Sequence, residues 1–122
     1  MKIYIIDDDW DMIQYVTVLL EGAGHEVFSG VSGVSNLPKI VARKPDAILV
    51  DLVMAEMDGL ELVRQLRAKK ELAASKIIMV TSKDHGHWRK QAEDAGVDGY
   101  VTKPIDAETF ASQIEAIVHS VQ

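Results

Sequence analysis

Ile3-Tyr4-Ile5-Ile6-Asp7-Asp8-Asp9 brings four apolar residues, without alternation, up against three acids. A strand with one wet face alternates apolar and polar residues; a strand buried on both faces does not. The run therefore reads as a strand inside a covered sheet, and the acids mark where it leaves the core. The pattern recurs along the chain. Ala47-Ile48-Leu49-Val50 runs into Asp51, Ile77-Ile78-Met79-Val80 into Thr81 and Ser82, and Tyr100-Val101 is followed by Lys103-Pro104. Val27-Phe28 is a weaker fifth, followed only by Ser29-Gly30, which predicts an edge strand.

Helix-period stretches lie between these runs. Ile13, Val16, Leu19 and Leu20 share one face, and Gly22 and Gly24 end that helix. Leu37, Ile40 and Val41 mark a second, with Ser35 and Asn36 as cap candidates and Pro38 in its first turn. Leu62, Val63 and Leu66 mark a third. Trp88, Ala92 and Ala95 mark a fourth, closed by Gly96. Phe110, Ile114, Ile117, Val118 and Val121 mark a fifth, opened near Asp106. Strand then helix, five times over, implies an α/β fold: one doubly wound (βα)5 parallel sheet with right-handed crossovers. Such sheets carry their sites beyond the carboxyl ends of the strands.

Composition agrees and excludes much else. The 122 residues, 48% hydrophobic and 26% charged, suit one domain spanning residues 1–122. The absence of cysteine rules out disulfide scaffolds, thiolate metal sites and thiol catalysis. A net charge of −6 argues against a direct grip on nucleic acid. No apolar run approaches the roughly 20 residues of a membrane helix. Asp7 interrupts the first run too early for a signal peptide. The expectation is a soluble cytoplasmic protein without membrane contact.

Four strand ends bring carboxylates, a hydroxyl and an ammonium to one edge of the predicted sheet. Carboxylates about 4 Å apart repel by several kcal/mol at an effective dielectric of about 20, so the cluster calls for a cation. One lysine does not neutralise three acids. Hard oxygens without cysteine or a fan of histidines favour Mg²⁺ over zinc. One acid of the triplet serves to cap the first helix, but capping leaves Asp51 and Lys103 unexplained. An aspartate beside Mg²⁺ is an oxygen nucleophile toward phosphorus, forming an acyl phosphate. Asp51, Thr81 and Lys103 supply the protein's part of that chemistry.

These residues carry a family resemblance over nearly the whole chain. Ile5-Ile6-Asp7-Asp8-Asp9, Ile48-Leu49-Val50-Asp51-Leu52-Val53-Met54, Met57-Asp58-Gly59-Leu60-Glu61-Leu62, Val80-Thr81-Ser82 and Gly99-Tyr100-Val101-Thr102-Lys103-Pro104 closely resemble the receiver domain of two-component response regulators. The resemblance implies a flavodoxin-like strand order 2-1-3-4-5. It implies that Asp51 accepts a phosphoryl group from a histidine kinase or phosphotransfer protein. Asp8 and Asp51 would ligate Mg²⁺ directly, Asp7 mostly through water, and the Val53 carbonyl would be a further ligand. Thr81 and Lys103 would hold phosphoryl oxygens, and Tyr100 would be the switch aromatic. The switch would alter the face made by the fourth helix, fifth strand and fifth helix, for an output domain or downstream protein. The resemblance also favours a cis Lys103-Pro104 bond.

The chain departs from the family at several points. Met54-Ala55 replaces the frequent Met-Pro, and Lys103-Pro104-Ile105 the common Lys-Pro-Phe. The fifth helix, read over residues 108–121, lacks the basic residues of the dimer face used with winged-helix outputs. Val53 and Lys83 stand two places after the acceptor and after Thr81, where relatives often carry groups able to orient water. Neither can act as a base, so slow self-dephosphorylation is expected.

Other features read more plainly. His85-Gly86-His87 reads as a solvated loop, Trp10 and Trp88 as rim or core packing, and Met54, Met57 and Met79 as packing. A haloacid-dehalogenase-type Mg²⁺ phosphatase would leave Asp51 and Met57-Asp58-Gly59 unused. A flavodoxin-like carrier needs a hydroxyl- and glycine-rich loop where the three acids stand. An adaptor working unphosphorylated would not need the complete acid set. The chain reaches Gln122 just past the fifth helix, a length that suits a stand-alone regulator or a domain of a longer protein.

Overall fold

A computed structural model describes residues 1–54, 57–83 and 85–120. In chain order it contains β1 Lys2–Ile6, α1 Trp10–Gly22, β2 Glu26–Gly30, α2 Gly33–Arg43, β3 Ala47–Val50, α3 Gly59–Arg67, β4 Lys76–Thr81, α4 Gly86–Ala95, β5 Gly99–Thr102 and α5 Phe110–Val118. The strands form one parallel sheet in the order β2-β1-β3-β4-β5, with β2 at an edge as its weak pattern foretold. A short 3₁₀ turn, Lys70–Leu72, was not foreseen.

The non-alternating strands do alternate in space. Tyr4, Ile6, Ile48, Val50, Ile77 and Met79 pack against Ile40, Leu62, Val63, Leu66 and Ala92 of α2, α3 and α4. Their neighbours Ile3, Ile5, Ala47, Leu49, Ile78, Val80 and Val101 pack against α1 and α5 through Ile13, Val16, Leu20, Phe110 and Ile114. Both faces of each central strand are buried, which is why the sequence shows no polar face.

Two helix starts differ from the expectation. The cap of α2 is Ser32, whose hydroxyl accepts from Ser35 N, and Pro38 sits inside the helix. Asn36 is buried in α2: its Oδ1 accepts from the Tyr4 hydroxyl at 2.5 Å and its Nδ2 donates to the Ser32 carbonyl. A polar residue before an apolar face looked like a cap, but a partner across the core took it inside. For α5, Asp106 caps a preceding turn through Glu108 N, and regular helix begins at Phe110. Val121 and Ala55 lie outside the described residues.

Candidate functional site

Asp7, Asp51 and Lys103 are each fixed by a hydrogen bond one rung past the regular ladder. Asp7 N donates to the Gly30 carbonyl at 3.3 Å, Asp51 N to the Ile6 carbonyl at 3.1 Å, and Lys103 N to the Thr81 carbonyl at 2.8 Å. Each side chain therefore leaves the sheet at a level set by the neighbouring strand. Thr81 is the last residue of β4 and is 1% exposed.

The acids gather at the carboxyl edge of β1 and β3. One carboxylate oxygen from each of Asp7, Asp8 and Asp51 lies within 4.8 Å of the others, the one such grouping found among the described residues. Asp7 is buried, Asp51 half-buried and Asp8 exposed. The Lys103 ammonium reaches Asp7 Oδ2 at 3.0 Å and Asp51 Oδ2 at 3.6 Å. Asp7 Oδ1 accepts from Asp9 N at 2.9 Å. Asp9 itself caps α1 through the N–H groups of Asp11 and Met12, so the capping acid of the triplet is the third. Burial raises the Asp51 carboxyl above its ordinary value. The Lys103 charge pulls it back, Asp7 pushes it up, and the backbone N–H groups of Val53 and Leu52 lower it. Three acids against one ammonium, with hard oxygen donors throughout, fit a small divalent cation that keeps several of its waters.

The loop after β3 is held from below. Asp58 caps α3 by accepting from Glu61 N at 2.8 Å, and Gly59 N donates to the Leu52 carbonyl at 2.7 Å. A β-carbon on Gly59 would stand 2.2 Å from the Asp51 carbonyl oxygen, so only glycine lets α3 approach the strand end this closely.

The remaining sequence-selected residues fall into place unequally. The Lys103-Pro104 peptide is cis, as expected. The Val53 side chain is exposed, and Val53 touches the site through its N–H. Lys83 is exposed and enters the network by its backbone: its N–H donates to Thr81 Oγ1 at 3.3 Å and its carbonyl accepts from the Tyr100 hydroxyl. Tyr100 is half-buried against the cluster under α2, α3 and α4. His85 and Gly86 do not lie in a free loop. His85 is the cap position of α4, and His87, in its first turn, pairs with Gln91. Met79 is buried, Met54, Met57 and Trp88 pack on the core, and Trp10 is 54% exposed.

Sequence reading missed Arg89. Its guanidinium lies 4.6 Å from the Tyr100 ring centroid and donates to Thr102 Oγ1 at 3.0 Å. No local pattern announces this contact, because α4 creates it by packing across β5.

Comparison with known proteins places the geometry. The family model described as response regulator receiver domain matches residues 3–115. Protein PilH of Pseudomonas aeruginosa is 33% identical over 117 residues, covering 96% of this chain and 97% of that protein. The DNA-binding dual master transcriptional regulator RpaA of Synechocystis sp. is 32% identical over 117 residues, but the chain spans only 48% of its length. Among solved structures, the chemotaxis response regulator CheY4 of Vibrio cholerae superposes with a TM-score of 0.89 at 27% identity, over 95% of this chain and 97% of that one.

Proposed function

The chain belongs to the response regulator receiver domain family, and on that premise we propose that it is a Mg²⁺-dependent phosphoacceptor switch with Asp51 as the acceptor. The observation that carries this reading is the ammonium of Lys103 set 3.0 Å from Asp7 and 3.6 Å from Asp51, in a nest of three acids it cannot neutralise.

In this reading Asp8 and Asp51 would hold Mg²⁺, with the Val53 carbonyl, and Asp7 would act mostly through water. The ion supplies charge neutralisation to the phosphoryl oxygens. The chain's own groups do the rest. An Asp51 oxygen attacks phosphorus of a phosphohistidine donor; the P–N bond breaks, and its electron pair leaves with the donor imidazole. Lys103 shifts from carboxylate partner to phosphoryl partner, and the Thr81 hydroxyl donates to a second phosphoryl oxygen. That donation draws Thr81 toward Asp51 and favours Tyr100 packed inward, altering the α4–β5–α5 face. The donor is a histidine kinase or phosphotransfer protein, and the reader an output domain or a downstream protein. No described helix is long and apolar enough to cross a membrane. A cytoplasmic setting accompanies this reading, with residues 1–122 as the domain.

Incubation with a small acyl-phosphate donor and Mg²⁺ tests it. The expected result is a mass gain of one phosphoryl group, abolished by Asp51→Asn and by chelation. Undiminished labelling of Asp51→Asn overturns the assignment.

A further inference from the structure

Arg89 joins two elements that the switch must move relative to each other. It stands in α4, stacks its guanidinium 4.6 Å from the Tyr100 ring centroid, and donates to Thr102 Oγ1 at 3.0 Å, one residue before Lys103. The far end of the same ring is held by the Lys83 carbonyl, and Lys83 N–H is held by Thr81 Oγ1. A continuous path thus runs from Thr81 through the Lys83 backbone and the Tyr100 ring to Arg89 and back to β5. An outward turn of the ring gives up the hydroxyl bond, the stack and the packing on the core cluster together. A planar guanidinium is suited to this place, because it covers an aromatic face while its edge donates to the Thr102 hydroxyl. A lysine ammonium is a point charge and does one of these at a time.

We propose that Arg89 is a positioning residue for phosphoryl recognition: by stacking on Tyr100 and bonding Thr102 it stabilises the inward ring, and so tightens the site's hold on a phosphoryl group it never touches. This rests on the reading of Asp51 as acceptor and of Thr81 and Tyr100 as the switch. The coupling is reciprocal: if a phosphoryl group favours the inward ring, the inward ring favours the phosphoryl group by the same factor, so a residue that raises the inward population tightens phosphoryl binding.

The test is titration of the full chain with beryllofluoride and Mg²⁺, a phosphoryl mimic, following Trp fluorescence and the Tyr100 ring resonances by NMR. Wild type should bind and Asp51→Asn should not. Arg89→Ala should weaken the mimic by about three- to tenfold and move the Tyr100 ring resonances even before the mimic is added. Arg89→Lys should remain weaker than wild type. In a Tyr100→Ala background, Arg89→Ala should have no further effect, since the ring it acts through is gone. Equal affinity of Arg89→Ala and wild type, unmoved ring resonances, or the same loss in the Tyr100→Ala background overturns the proposal. Failure of wild type to bind, or equal binding by Asp51→Asn, instead overturns the acceptor reading beneath it.

Discussion

At the amino end of the sheet one arginine is surrounded by acceptors; at the carboxyl end one lysine faces three acids. Arg67 donates from Nε to the Gly96 carbonyl at 2.9 Å, from Nη1 to the Ser75 carbonyl at 3.0 Å and from Nη2 to Asp98. Asp98 also accepts from Ile77 N at 2.9 Å, and the Ser75 hydroxyl donates to the Pro45 carbonyl. Charge there is balanced and the donors are used, so the cluster ties the starts of β4 and β5 to α3. At the other end the Asp7, Asp8 and Asp51 carboxylates exceed the single ammonium. One end of the sheet is built to hold; in the proposed function the other receives a cation and a phosphoryl group. Excess like charge is tolerated where a ligand completes the site.

Removing the holding charge should give the largest effect. Arg67→Ala removes the ion pair to Asp98 and the donors to three carbonyls, those of Leu72, Ser75 and Gly96, and should cost about 3 kcal/mol in urea denaturation while leaving Mg²⁺ affinity near that of wild type. If stability is unchanged, the two ends do not differ in the way described. Adding Mg²⁺ should come next. Mg²⁺ at ten times its dissociation constant should stabilise wild type by about 1.4 kcal/mol, reversed by chelation, with little effect on Asp51→Asn. Equal stabilisation of both proteins would place the ion elsewhere.

A smaller effect is expected from relieving the excess at the receiving end. Asp51 has its folded-state pKa raised, chiefly by burial. Its protonation therefore contributes stability that is full below the ordinary carboxylate range and is lost as pH rises through the raised value. In chelator, Asp51→Asn should be more stable than wild type at neutral pH by about 1 kcal/mol, and the difference should vanish toward acid. A difference that grows on acidification has the wrong sign for this account. The smallest effect concerns lifetime. Val53→Asn and Lys83→Glu introduce groups able to orient water, and each should speed decay of labelled protein by roughly threefold. Decay as slow as wild type in both would mean that these exposed side chains do not set the lifetime.

The receiving end was the more legible of the two. Its residues come at the ends of apolar runs, so Asp7, Asp51, Thr81 and Lys103 could be found from the point where each strand stops. The holding end offers no such signal. Arg67 lies at the end of α3, and its partners Ser75, Gly96 and Asp98 belong to separate turns. Their relation exists only once α3 lies against the starts of β4 and β5.

Local order and burial are written in the chain because a strand buried on both faces must be apolar along its buried length and ends where polar residues resume. That determined the five strands, the parallel sheet and the level at which the acids emerge. Tertiary structure decided what no periodicity encodes: that Asn36 turns inward to Tyr4 instead of capping α2, that Lys83 joins the site by its backbone, and that Arg89 lies on Tyr100. Each of these depends on the distance between elements far apart in sequence. Packing sets that distance only after the elements have formed.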